Sequence, residues 1–344
     1  MRVALATHQA TAVLRGGPRT QLLQTASGLR LLGVDVRFLD NVTQLRKEDV
    51  DLVHIFGAGI ATFHLARALH QQRIPTVVSP IYLTRRSPAV VRTMIAAERI
   101  AGKLYRGLFS EYGMVAQMCE WAVCVAPNTE EEAALCRNAF GVPSEKIAVV
   151  PNGVEERFRT ATPDAFVAAY GMRDFVLNVG HIGPARKNVM RLVEAMGRID
   201  RPAVIIGRIE QSPEGRAIVE RAFRNPRIRI LDHIDHDSEM LASAYAACSV
   251  FALPSQFETP GIAALEAGLA GANIVITPYG GTREYFGEMA EYVDPYSISD
   301  IRRGIEKAVS RSRTRGLSNH IASHFLWPHA ARRTVEVYEK TLRS

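Results

Sequence analysis

The sequence predicts an α/β protein built from two doubly wound domains. Three observations carry that expectation. Short apolar runs alternate with segments of helical spacing. The alternation runs through the chain twice, and 344 residues are enough for two separate cores. Strands alternating with helices of this length imply parallel sheets covered on both faces.

The first series opens with "MRVALAT", a short apolar run that reads as a buried strand. After the loop "RGGPRT", Leu22, Leu23, Ala26, Leu29 and Leu32 follow a helical spacing, and Gly33 stands where a helix stops. "VDVRFL" and "DLVHIF" read as strands, "ATFHLARALHQQ" as a helix and "IPTVVS" as a further strand. "WAVCVAP", the helix "TEEEAALCRNAF" and "KIAVVPNGV" close the series. The second begins at "DFVLNVG" and runs through "RLVEAMGRI", "PAVIIG", "IRIL", "EMLASAYAAC", "SVFALPS", "ANIVIT" and "ISDIRRGIEKAVSR". Residues of about 153–173 read as the connecting linker. Ligands of such folds sit at the C-terminal ends of the strands.

Composition excludes several classes. No apolar run approaches the ~18 residues of a membrane span, and the first ten residues lack a secretory apolar region. Cys119, Cys124, Cys136 and Cys248 form no Cys-x-x-Cys pair, so they read as buried free thiols of a reducing, cytoplasmic compartment. The net charge is +7, and residues 85–106 carry Arg85, Arg86, Arg92, Arg99, Lys103 and Arg106 against Glu98 alone. On a helix, Arg92, Arg99, Lys103 and Arg106 fall within ~60° of one another. Val90, Met94, Ala97, Ala101, Leu104 and Leu108 form an opposite stripe. One reading is a surface helix with its stripe packed on the sheet and a solvated basic face. The other is a basic face over 88–108 that meets anionic lipid headgroups or an anionic acceptor. No nucleic-acid-binding motif accompanies the charge, so a nucleic-acid partner is not expected.

The chemistry concentrates in "SQFETPGIAALEAGLAG", residues 255–271. Glu258 and Glu266 sit there among small and apolar residues, a costly placement unless something binds them. Thr259 is a good N-cap, Pro260 suits a first helical position, and Gly261 admits close approach to the backbone. The free N–H groups of a first turn suit sugar hydroxyls or phosphate oxygens. The plainer reading is that Glu258 supports the helix N-terminus and Glu266 is a solvated helix residue.

The Glu-x7-Glu pattern, after a strand-end Pro-Ser and before Gly271, resembles the retaining glycosyltransferases of glycosyltransferase family 4, which have the two-domain GT-B fold. "RGGPRT" resembles that family's glycine loop, "VVPNGVEERF" its Pro-Asn-Gly-Val segment, and "VGHIGPARKN" its basic diphosphate-binding segment. "GGTREYFGE" resembles the loop-helix after the donor helix, and "FLWPHAARRTVEVYEK" the C-terminal helix that crosses back onto the first domain. The resemblance covers almost the whole chain. It implies an acceptor-binding domain over 1–160, a nucleotide-sugar-binding domain over 161–326 and a returning helix over 327–344.

The resemblance also implies residue roles. Glu266 would hold the donor ribose, and Glu258 would lie by the donor sugar hydroxyls, with Gly261 and Ile262 offering backbone N–H groups. Lys187, assisted by Arg186, would neutralise the departing diphosphate, since fixed cations stabilise charge that develops there. Gly16 and Gly17 would let the first domain's loop approach the phosphates. His181 stands where the family carries Arg, and would contact the donor with a weaker clamp at neutral pH. Ser79 and Pro80 stand where the family commonly has a His, and His54 reads as a packed or acceptor-side residue.

Other signals compete. Gly57-x-Gly59 lies between a strand and a helix, but Thr62 replaces the third glycine of a dinucleotide fingerprint. Asp232, His233, Asp235, His236 and Asp237 crowd "LDHIDHDSEM" and admit a metal reading, against which stands helix capping by Asp and Ser. The expected function is metal-independent, cofactor-free retaining transfer of a hexose. The donor would be a nucleotide diphosphate sugar, GDP-mannose before a UDP-hexose. The acceptor would be a glycan or lipid-linked hydroxyl, in surface polysaccharide or glycolipid assembly at the inner face of the membrane. The alternatives are a catalytically silent protein of the same fold and a nicotinamide-dependent oxidoreductase.

Overall fold

The computed structural model describes all residues except 14, 15, 41, 105, 106, 108 and 344, and the backbone alone at 103 and 104. It divides into two compact units, one comprising Met1–Gly153 with the helix that begins at Trp327, the other Val154–Leu326.

The first unit contains β1 (Arg2–Thr7), α1 (Gly17–Leu31), β2 (Asp35–Phe38), β3 (Leu52–Phe56), α2 (Ile60–Gln71), β4 (Thr76–Ser79), α3 (Pro88–Leu104), α4 (Glu111–Trp121), β5 (Cys124–Val125) and α5 (Glu130–Asn138). Its strands form one sheet in the order β2-β1-β3-β4-β5, with Val3 opposite Val36 on one side and Leu52 on the other, all pairs parallel. Strands covered on both faces read as continuous apolar runs. Accordingly Leu52, Val53, Ile55, Val77 and Val78 are all buried.

The second unit contains α6 (Asp164–Tyr170), β6 (Val176–Val179), α7 (Val189–Met196), β7 (Ala203–Ile206), α8 (Pro213–Phe223), β8 (Ile228–Leu231), α9 (Glu239–Ala247), β9 (Val250–Leu253), α10 (Ile262–Leu269), β10 (Asn273–Ile276), α11 (Thr282–Phe286), β11 (Glu291–Tyr292), α12 (Ile298–Ser310) and α13 (Gly316–His324). Its sheet runs β11-β10-β9-β6-β7-β8, again parallel throughout. The order reverses between β6 and β9, the topological switch point at which such sheets open a crevice. The stretch of about 153–173 that read as linker is, from Val154 onward, folded into this unit: Phe158 and Phe166 belong to its core with Phe175 and Tyr245.

The last helix, α14 (Trp327–Arg343), belongs to the first unit and packs on α1. Gly28 makes the close crossing, because a Cβ there would stand 2.6 Å from that of Ala331. Buried Tyr338 bonds through its hydroxyl to Nδ1 of His54 at 2.7 Å, and Nε2 of His54 meets Ser79 Oγ at 2.9 Å. His54 is thus a packed residue that joins β3, β4 and α14.

The basic helix packs differently from expectation. Among its described side chains Val91 and Ile95 are the buried ones, whereas Val90 and Met94 of the expected stripe are exposed. The reason is the neighbour: α3 packs on α4 and α5. Glu98 accepts a hydrogen bond from Ser110, the N-cap of α4, and its carboxylate fills the space above Gly113. Arg92 and Arg99 are exposed as expected. The side chains of Lys103 and Leu104, and all of Arg106 and Leu108, lie outside the described residues.

Burial lowers the His54 pKa to about 3. The folded ring stays neutral while the unfolded one, near 6.5, takes up a proton. Stability from this group is therefore complete above about pH 6.5 and falls as the pH drops toward 3, by up to about 1.4 kcal/mol per pH unit. Urea unfolding between pH 7 and pH 4 should show this component in the native protein and not in His54→Gln. Parallel pH profiles for the two would contradict it.

Candidate functional site

The candidate site lies at the C-terminal edge of the second sheet, where the loops after β6, β9 and β10 meet. After β6 the chain turns through Gly180–Pro184 into a short 3-10 turn, Ala185–Lys187. This loop is stitched to the segment after β7: Ile182 N–H donates to Arg208 O at 3.0 Å, and Glu210 N–H to Ile182 O at 2.8 Å. Gly207 is required there, since a Cβ would overlap the Gly180 carbonyl. His181 sits half-buried in the same loop as Arg186 and Lys187. Asn188 then takes a left-handed conformation, φ 56°, and caps the loop with its side chain: Nδ2 donates to Pro254 O at 2.8 Å and Pro295 O at 2.6 Å.

Glu258 is the centre of the site. Only 7% of it is exposed, so its charge demands partners. Lys187 Nζ lies 2.6 Å from Oε1, and Arg186 Nη1 3.4 Å from the same oxygen. Arg186 also donates to Phe257 O at 3.1 Å, and its carbonyl accepts from Gln256 N–H at 2.8 Å. Burial alone would raise the Glu258 pKa; the two cations outweigh it and hold the carboxyl below the usual range. The backbone of Glu258 is fixed from behind, its N–H donating to Tyr279 O at 3.1 Å. Gly280, at φ +88°, allows this contact, because a Cβ would overlap the Glu258 carbonyl.

The helix start differs from expectation. Thr259 does not cap it and Pro260 is not its first residue; α10 begins at Ile262 behind Gly261, which adopts φ 76°, ψ 71°. A residue with a Cβ is strained in that conformation, and its Cβ would press on Leu253 at 3.1 Å. The strand-end loop thus reaches the helix through a left-handed glycine rather than a side-chain cap. Gly16 and Gly17 belong to the first unit, at the start of α1, where an added Cβ would meet nothing within 4 Å.

Glu266 is not a solvated helix residue. It is 3% exposed, and both oxygens are engaged: Tyr245 donates its hydroxyl to Oε2 at 2.8 Å, and His236 Nε2–H donates to Oε1 at 2.7 Å. The hydrogen bond that His236 donates to Glu266 outweighs burial and raises the His236 pKa to about 9, so the imidazole is a cation at neutral pH. The 3-10 turn Glu156–Thr160, the residue before it and Asp237 supply its other neighbours. Arg157 donates to His236 O at 2.7 Å, and Glu155 Oε1 lies 3.8 Å from Nδ1, while Asp237 Oδ1 lies 3.2 Å from it. Glu155, His236 and Asp237 are the grouping among the described residues that could hold a metal; Nε2 of His236 is engaged by Glu266. Ser238 caps α9 by accepting Leu241 N–H at 3.3 Å, as read from the sequence. The sequence reading missed Tyr245 and gave His236 a different role; their signal was that a buried Glu266 must have partners.

In the first unit Thr62, in place of a third glycine, is buried and donates to Gly57 O at 2.7 Å. That hydroxyl closes the turn from within.

The two doubly wound units define the class: an α/β protein of the GT-B fold. The family described as Glycosyl transferase 4-like domain matches residues 30–153, and that described as Glycosyl transferases group 1 matches residues 164–320. Sucrose-phosphate synthase from Thermosynechococcus elongatus superimposes with a TM-score of 0.78 at 18% identity over 99% of both chains. Anabaena Alr3699/HepE in complex with UDP and glucose gives 0.73 at 16% identity, over 99% of this chain and 100% of that one. In sequence, the D-inositol 3-phosphate glycosyltransferase of Xylanimonas cellulosilytica is 25% identical over 241 residues, 63% of this chain and 56% of that protein. The chain spans between about half and three fifths of the length of the curated relatives it matches. It belongs to the glycosyltransferases of the family 4 type.

Removing one partner of a buried ion pair strands the other charge. Lys187→Met should therefore lower stability by about 2 kcal/mol, and Arg186→Met, which removes a half-exposed and more distant cation, by less than about 1 kcal/mol. Urea unfolding at neutral pH measures both, and equal losses would contradict the assignment of Lys187 as the main partner.

Proposed function

We propose that the protein is a retaining hexosyltransferase that moves a hexose from a nucleotide diphosphate sugar to an acceptor hydroxyl. The observation that carries this reading is the pairing of Lys187 and Arg186 with buried Glu258 beside the first turn of α10. Two cations held in place by a carboxylate are preorganised for a diphosphate whose negative charge grows as the glycosidic bond breaks. Glu266 offers a carboxylate to the ribose, and Glu258, with the backbone of Gly261 and Ile262, addresses the donor sugar. His181, in the same loop as Arg186 and Lys187, completes the donor residues of the second unit. The acceptor oxygen attacks the anomeric carbon on the face the phosphate leaves, its proton passing to the departing phosphate oxygen. Lys187 and Arg186 supply the positive charge this step needs, so the transfer is metal-independent and uses no cofactor.

The donor favoured from the sequence is GDP-mannose. The structural likeness to Alr3699/HepE, whose crystals hold UDP and glucose, makes a UDP-hexose the other donor to try. The acceptor is a glycan or lipid-linked alcohol of surface polysaccharide or glycolipid assembly. Exposed Arg92 and Arg99, with exposed Val90, Met94 and Ile100 on the same helix, suit contact with an anionic lipid surface. None of the helices is long and apolar enough to cross a membrane among the described residues.

A thermal-shift panel with UDP, GDP, ADP, NAD and NADP tests the donor site. A ligand at 100 times its dissociation constant adds roughly 2.7 kcal/mol of stability. One nucleoside diphosphate should raise the midpoint of the native protein and leave Glu266→Ala unmoved. The corresponding nucleotide sugar should then be turned over. A shift with NAD or NADP alone would overturn the reading, and tight nucleotide-sugar binding without turnover would favour a silent binding protein.

A further inference from the structure

We infer that His236 is a positioning residue of the donor site, which together with Tyr245 orients the Glu266 carboxylate so that its remaining acceptor sites fit the two vicinal hydroxyls of a ribose. This rests on the proposed role of Glu266. A carboxylate offers about four acceptor sites. Tyr245 takes one on Oε2 and His236 one on Oε1, which leaves one on each oxygen, the number a ribose diol uses.

The carboxylate is held from two sides, by α9 and by the loop before it. Tyr245 is fully buried in α9 and edge-on to Phe158 at 5.6 Å between ring centres. His236 comes from the loop before α9 and is fixed at both backbone and ring. Arg157 donates to its carbonyl, and Phe158 stands edge-on to its imidazole at 5.9 Å. Arg157 in turn lies over the Phe158 ring at 4.2 Å. The charged and titratable groups that face the imidazole are Glu266 from α10, Tyr245 from α9, Arg157 from the 3-10 turn and Glu155 just before it, and Asp237 beside it. Three carboxylates surround it, which favours the cation and keeps Nε2–H donating to Glu266.

A purely structural ion pair would leave the choice between ribose and deoxyribose untouched, and that difference is the test. Titration calorimetry with UDP, GDP and ADP identifies the nucleotide that binds, and its 2′-deoxy counterpart is then compared. The native protein should prefer the ribonucleotide by about tenfold, the worth of one strong hydrogen bond. His236→Ala, checked for an unchanged circular dichroism spectrum, should reduce that preference to about twofold, and His236→Gln, which restores an N–H donor, should recover part of it. An undiminished tenfold preference in His236→Ala overturns the inference while leaving the donor site standing. An undiminished preference in Glu266→Ala overturns the ribose role itself, and failure of all three nucleotides to bind the native protein overturns both.

Discussion

A carboxylate that is almost wholly removed from water, Glu258, sets the terms for the second unit. Desolvating such a group costs several kcal/mol unless charge and hydrogen bonds offset it, and the offsets come from 71 and 72 residues away, through Lys187 and Arg186. That dependence fixes three loops together. The loop after β6 must bring its cations to Glu258, and the loop after β9 must present the carboxylate. The loop after β10 must yield space for it, which Gly280 does by having no side chain. Asn188 adds a neutral tie across the same gap, to Pro254 and Pro295. The result is a site whose charges are already oriented before any ligand arrives, the condition under which electrostatic stabilisation is most effective.

The first unit solves a related problem with neutral groups. His54 lies in a central strand among apolar neighbours, where burial keeps it uncharged, and Tyr338 and Ser79 satisfy its two ring nitrogens. Buried Glu132 accepts from the backbone N–H groups of Tyr82 at 2.8 Å and Asn128 at 2.7 Å, tying together the chain ends beyond β4 and β5. Next to Tyr82, Ile81 takes φ 51°, a conformation costly for a β-branched residue. Both units therefore use buried polar side chains to hold loops at the C-terminal ends of their strands, while the cores beneath stay apolar.

Most of the fold was legible in the sequence, because alternating apolar runs and helical spacings report burial directly. The Glu-x7-Glu pattern with the basic segment ahead of it likewise contains Lys187, Arg186 and Glu258, which pair in the second unit. What the sequence concealed depends on distance along the chain or on backbone shape. Thr259 and Pro260 have the chemistry of a helix start, yet a left-handed Gly261 takes that place because the strand-end loop must turn sharply into α10. The stripe Val90–Met94–Ala97 is apolar at helical spacing, but Glu98 binding to Ser110 rotates a different face, Val91 and Ile95, inward. His236 looked like part of an acidic capping loop. Only the fold shows that it lies against Glu266, thirty residues on.

The account stands or falls on the state of Glu258. Carbon-detected NMR of labelled glutamate carboxyls, with the Glu258 signal assigned by its loss in Glu258→Gln, follows its titration directly. The account predicts a pKa below the ordinary 4.5 in the native protein and an upward move in Lys187→Met, where burial is no longer outweighed. A Glu258 that titrates above 4.5 in the native protein, or one indifferent to Lys187→Met, would contradict it.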